Sequence, residues 1–276
     1  MDGSCVYEGR RIAYRVHGTG PRVIVLTHGL LMDGRMYTKL APALVARAYR
    51  LVTIDVLGHG FSDQPHDMAS YSMTQFGRDV VAVLDHLGIE QAVVGGTSLG
   101  ANISLEVAVA APDRVRGLVL EMPVLENGLA AAAAAFVPLA LALRVSLPAM
   151  RVVSSLMRRI PRTTFMVDLM LDFVRRDPAA SLAVLDGVTF GRVAPPGSER
   201  RRIQHPTLLV GHRRDPIHPF DDADVLTRDL PRARLVEARS ILEWRLSPAR
   251  LDCELCAFLD EVWASDAGEA QHTHAA

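Results

Sequence analysis

The chain has 276 residues, 49% of them apolar and 22% charged, with a net charge of −1. That is long enough to bury a sizeable core and ordinary for a soluble globular protein. The net charge gives no reason to expect a strongly acidic or basic partner, nucleic acid included. Lys39 is the sole lysine. The arginines are scattered among acids, so their excess reads as the coding bias of a GC-rich genome rather than as phosphate binding. Three cysteines make no disulfide framework. The Cys253/Cys256 CxxC lies within a helical pattern (Leu251, Leu255, Phe258, Leu259, Val262) and reads as core packing, with no second pair to complete a zinc site. No charged leader precedes an apolar run. The most apolar stretch, Leu129 to Leu143, contains Pro138 and is shorter than the ~20 residues of a spanning helix. A cytoplasmic protein without a membrane span is expected; a homo-oligomer stays open.

In chain order, Arg11–His17 alternates polar and apolar as a half-exposed antiparallel edge strand does. Val23–Leu26 is a β-branched run of the kind buried on both faces. A helix over Arg35–Ala46, a strand over Arg50–Asp55 and a helix over Thr74–Leu87 follow. Then come a strand over Gln91–Gly95, a helix over Leu99–Ala111 and a strand over Val115–Glu121. This alternation implies parallel strands joined by crossover helices.

Between Met122 and Arg202 only helical spacing appears, over Leu129–Leu147, Met150–Ile160, Phe165–Val174 and Ser181–Val188. Prolines 138, 148, 161, 178 and 195 are expected to cut this region into short helices. Strand and helix then resume: Pro206–Gly211, Phe220–Asp229, Ala233–Ala238 and Pro248–Trp263. The pattern predicts a core of residues 1–121 and 203–264, a helical insertion over 122–202 and a disordered tail over 265–276.

The strongest chemical signal is Gly96-Thr97-Ser98-Leu99-Gly100, with a buried strand before it and a helix directly after. A turn that sharp strains the serine backbone and needs glycine two residues to either side. It holds the hydroxyl above the sheet at a helix N-terminus. Two further strand ends stand out: Leu26-Thr-His28-Gly29-Leu30-Leu31 and Asp55-Val-Leu-Gly58-His59-Gly60-Phe-Ser62-Asp63.

Together these three segments resemble the α/β-hydrolase superfamily, in the branch of esterases, meta-cleavage-product hydrolases, lactonases and cofactor-free haloperoxidases. The resemblance implies a mostly parallel central sheet flanked by helices, with a helical cap inserted after strand 6. It implies Ser98 as nucleophile, backbone N–H groups of Leu30 and Leu99 as the oxyanion hole, and structural roles for His28 and His59. Leu208-Leu-Val-Gly211-His-Arg-Arg-Asp215-Pro-Ile-His218-Pro219 is similar to the family's acid segment, which makes Asp215 the acid; Glu121 occupies an alternative acid position.

The chain departs from the family after the eighth strand, where a histidine base is expected. Ile241 or a neighbour stands there, and no histidine lies between His218 and His272. A serine hydroxyl needs a base to become nucleophilic. His218, three residues past Asp215, is the nearest substitute, with His212 behind it; a second account uses Glu243 or a water, and a third has a triad without function. The cap residues Phe136, Val137, Leu139, Leu143, Met150, Met157, Phe165, Met166, Met170 and Phe173 suit a small hydrophobic substrate. Arg158, Arg159, Arg175 and Arg176 read as solvated helix faces. The expectation is a serine-dependent hydrolase of a small hydrophobic ester, thioester or lactone without cofactor or metal. The alternative is a degenerate site that binds a small molecule or promotes a cyclisation or elimination.

Overall fold

The computed structural model describes residues 1–161 and 165–273. One sheet contains β1 (Asp2–Tyr7), β2 (Arg10–His17), β3 (Arg22–Thr27), β4 (Tyr49–Asp55), β5 (Ala92–Thr97), β6 (Val115–Glu121), β7 (Thr207–Gly211) and β8 (Ala233–Glu237). Its order is β1-β2-β4-β3-β5-β6-β7-β8. β1 pairs β2, and β2 pairs β4, antiparallel; every other pairing is parallel. β3 and β5 are buried along nearly their whole length, as continuous apolar strands between two helical layers should be.

Helices cover both faces. α2 (Met73–His86), α3 (Leu99–Ala110) and α9 (Phe220–Asp229) close one side around Phe76, Val80, Ile103, Leu105 and Leu226. α1 (Ala41–Val45), α10 (Glu243–Leu246) and α11 (Ala249–Thr273) close the other around Leu44, Trp244, Leu255 and Phe258. Between β6 and β7 lie α4 (Leu129–Val145), α5 (Leu147–Met157), α6 (Phe165–Arg175), α7 (Pro178–Phe190) and the single turn α8 (Gly197–Arg200). No strand interrupts this insertion among the described residues.

Several expectations change. The outer edge of the sheet is β1, not Arg11–His17, which lies between β1 and β4. β1 escapes a reading of hydrophobic period because Cys5 is its sole buried residue. A Glu8-Gly9 turn with φ of 49° and 73° closes the hairpin. The helix expected over Arg35–Ala46 is instead a 3₁₀ turn at Gly34–Tyr37 and the short α1, because Pro42 in the first turn of α1 starts a new helix. Pro138 lies inside α4 without ending it. Its ring is exposed, and the alanines and leucines around it are strong helix formers. α11 continues to Thr273, past the expected end at Trp263; residues 274–276 of the expected tail lie outside the described residues. Cys256 is buried as a packing residue should be, whereas Cys253 is exposed.

Candidate active site

Ser98 stands between β5 and α3 with φ 54° and ψ −110°, a backbone conformation rare for any residue but glycine. Its N–H donates to Glu121 O at 2.8 Å, so the strained residue is anchored to β6. The flanking glycines are required by space. A Cβ at Gly96 would lie 2.3 Å from Thr27 O, and one at Gly100 would lie 2.0 Å from the same atom. β3 and the turn therefore meet backbone to backbone, and Ser98 is left at the first turn of α3.

The loop after β3 lies against this turn. Gly29 to Met32 form a tight turn, closed by Met32 N–H donating to Gly29 O at 3.0 Å, with Leu31 at φ 59°. Leu31 N–H donates to His59 Nε2 at 3.1 Å, and Val56 N–H to His28 Nε2 at 3.1 Å. The two histidines are thus fully buried ties between the β3 and β4 loops. Burial holds both imidazoles below their ordinary titration range, and the hydrogen bonds of both rings go to loop backbone rather than to Ser98. Neither Leu30 nor Leu99 gives its backbone N–H to an acceptor among the described residues; both residues line the cavity at Ser98.

The loop after β7 carries Asp215 and His218 and brings them together. Asp215 Oδ1 accepts from the N–H of Ile217 at 2.8 Å and of His218 at 3.0 Å, an Asx-type turn held between Pro216 and Pro219. Asp215 Oδ2 meets His218 Nδ1 at 2.8 Å, and His218 Nε2 lies 2.9 Å from Ser98 Oγ. Burial disfavours ionisation of Asp215. The hydrogen bond and charge of His218, with the two N–H groups, outweigh it and hold the carboxyl below its usual range. An ionised carboxylate only accepts, so Nδ1 carries the proton and the neutral ring leaves Nε2 to accept from the serine hydroxyl.

The other candidate groups lie elsewhere. His212 accepts from Arg214 N–H at 3.2 Å. Glu243 is bound by Arg250 at 2.8 Å and by Arg239 N–H at 2.5 Å. Glu121 has no hydrogen bond to a histidine among the described residues. It is paired at 2.6 Å with Arg245, which also donates to Thr97 Oγ1 at 2.9 Å.

Arg245 is the residue that sequence reasoning missed. It comes from α10, just past the place where the resemblance expects a base, and lies behind the Ser98 turn. Its signal is slight: one arginine in a segment where the resemblance places a histidine. Ile241, at that place, is 42% exposed and lines the cavity beside His218.

Two cavities meet at Ser98 and share Leu30 and Phe136. One, of about 300 Å³, runs between α4 and α7 past Met73, Ala132, Leu185 and Val188. The other, of about 230 Å³, runs past Met32, Met122, Ile217, Ile241 and Leu242. Phe136 on α4 stands between them. Leu139, Leu143 and Met150 pack with Leu31 and Leu185, which seats the insertion on the loop after β3. Val137 is exposed and Met157 half-buried, while the side chains of Phe165, Met166, Met170 and Phe173 lie outside the described residues.

Arg175 and Arg176 are not solvated faces. Arg175 is buried against Asp168 and Asp172. Arg176 reaches from the insertion to Met32 O at 3.1 Å and to Gly58 O. A larger cleft of about 690 Å³, walled by Arg35, Asp172 and Arg175 among others, does not include Ser98. No cluster of three or more His, Cys, Asp or Glu side chains gathers to hold a metal among the described residues.

The profile of the family described as alpha/beta hydrolase fold matches residues 22–240. Haloalkane dehalogenase 2 of Mycobacterium tuberculosis is 38% identical over 110 residues, 40% of this chain and 37% of that protein. The 2-hydroxymuconate semialdehyde hydrolase of a Pseudomonas species is 39% identical over 105 residues, 38% of this chain and 34% of that protein. The chain spans under two fifths of the length of these curated relatives. Over the whole fold it is similar to the enol-lactonase of Burkholderia xenovorans, with a TM-score of 0.76 and 23% identity, covering 93% of this chain and 99% of that one. With a profile match that takes in all the strands from β3 to β8, the chain belongs to the alpha/beta hydrolase fold family.

Proposed function

We propose that the protein is a serine-dependent hydrolase of a small apolar ester, thioester or lactone, with Ser98 as nucleophile, His218 as general base and Asp215 as the orienting acid. The observation that carries this reading is the His218 ring, within hydrogen-bond reach of Asp215 on one side and of Ser98 Oγ on the other. In the reaction Ser98 Oγ attacks the carbonyl carbon while its proton passes to His218 Nε2. The oxyanion is received by the N–H groups of Leu30 and Leu99 at the positive end of α3. His218 then returns the proton to the leaving group, and a water activated by the same ring releases the acyl group. Asp215 stays ionised throughout and stabilises the imidazolium. The two apolar cavities suit the two sides of a scissile bond, and the helical insertion acts as a cap over them.

A histidine in this position supports hydrolysis over a binding or cyclising site, a reading whose premise is a missing base. The test is intact-mass labelling with a fluorophosphonate. Wild type should take one label and Ser98→Ala none, with labelling of His218→Ala slowed by about 10³-fold or more. A folded wild type that takes no label would sink the proposal.

A further inference from the structure

A helix that is apolar on every side is ordinarily buried on every side, and α4 is not. Its inner face lines the cavity at Ser98 through Leu129, Ala132, Ala133 and Phe136. Its outer face, formed by Ala130, Ala134, Val137, Leu141 and Val145, is exposed, with Val145 at 83%. α5 turns away from α4 by 101° and continues the exposed apolar surface with Val152, Val153 and Leu156. Leu129 and Ala133 are themselves exposed, so the cavity at Ser98 reaches the surface along this same helix.

Charge in this segment has one sign. Between Glu126 and Asp168 the only charged residues are Arg144, Arg151, Arg158, Arg159 and Arg162. The whole chain carries a net charge of −1, so the basic character is local. Arg151, Arg158 and Arg159 are exposed. Arg144 is paired with Asp186 at 2.6 Å, and the segment itself contributes no carboxylate. An apolar helical surface whose own charges are all arginine matches an anionic bilayer surface, with apolar side chains at the acyl boundary and guanidinium groups among the headgroups. A second copy of the chain fits less well, because a two-fold contact would set the same arginines against each other. No single helix among the described residues is long and apolar enough to cross a membrane, so the geometry calls for a helix pair lying on the bilayer.

We infer that the α4–α5 face docks the protein on an anionic lipid surface, with the mouth of the Ser98 cavity turned toward it. This docking stands apart from the chemistry proposed above, since binding is read without turnover. The experiment is co-flotation with vesicles of phosphatidylcholine alone and of an equimolar phosphatidylcholine–phosphatidylglycerol mixture, at low and high salt. Anionic vesicles should bind at least about tenfold more tightly than neutral ones, with the difference shrinking as salt screens the arginines. The triple variant Val145→Glu, Val152→Glu, Leu156→Glu should lose binding by about tenfold or more, while its melting temperature and fluorophosphonate labelling stay at wild-type levels. Arg151→Glu with Arg159→Glu should weaken binding to the anionic vesicles alone. Equal or absent binding to both vesicles, or binding indifferent to these variants, would overturn the inference. So would a wild type that sediments as a dimer, is split by the triple variant and binds neither vesicle, because the face would then belong to a second copy.

Discussion

His218 and Asp215 are three residues apart, and that short span explains how an imidazole is held by a carboxylate of its own loop. One carboxylate oxygen is spent on the N–H groups of Ile217 and His218, which fixes the turn; the other is free to hold the imidazole. Flanking prolines limit the turn's alternatives and so lower the entropy cost of forming it. Asp215→Asn should preserve the fold, because an amide oxygen still accepts the two backbone bonds. It should lower kcat on a short p-nitrophenyl ester by about 10⁴-fold through loss of the ionised partner and the correct tautomer. Steady-state kinetics beside a melting curve checks both halves. Ser98 was legible in the sequence because strand, glycine spacing and helix coincide on it. His218 was legible as a neighbour of Asp215 and no further, since 120 residues separate it from Ser98 and only the sheet order brings them together. Arg245 was not legible: its partner Glu121 is 124 residues away, and nothing in the local pattern marks a buried cation.

At the scale of elements, the sequence is most readable where burial is two-sided. β3 and β5 show themselves as apolar runs, whereas β1, with a single buried side chain, shows no period at all. The helices of the insertion were visible from their spacing, but which face of α4 meets the cavity depends on how α7 packs on it. The small side chains of α4 create room beside Ser98, and Ala132 lies directly on that wall. Ala132→Phe should fill it. Turnover of long-chain acyl esters is expected to fall by about tenfold or more in kcat/KM, with short esters changed by no more than about twofold. A series of p-nitrophenyl esters of rising length reads this out; equal losses along the series would mean that the cavity does not take the acyl chain.

At the scale of the molecule, stability carries a pH signature from one buried carboxyl. Asp79 on α2 is fully buried, with Arg10 3.6 Å away, and Oδ2 has no hydrogen-bond partner. Burial pushes its pKa up to about 6, against the 3.8 of a free carboxyl, although Gln75 and Arg10 oppose the shift. The folded state therefore binds the proton more tightly than the unfolded one. Folding free energy from this group is most favourable below about pH 4 and is lost as pH rises through about 6. Asp79→Asn should stabilise the protein by about 1–3 kcal/mol at pH 8 and by almost nothing at pH 4, as denaturant midpoints at the two values would show. The Asp215–His218 turn has a consequence for how the chain can be made and cut. The hydrogen-bonded relay closes within residues 98–218, so during N-to-C synthesis all three side chains exist before β8 is translated. α9, β8, α10 and α11 then add wall and core but no member of this hydrogen-bonded set. New termini opened between α9 and β8 would leave the relay whole on one fragment, where an arrangement with its base beyond the last strand would be divided in two.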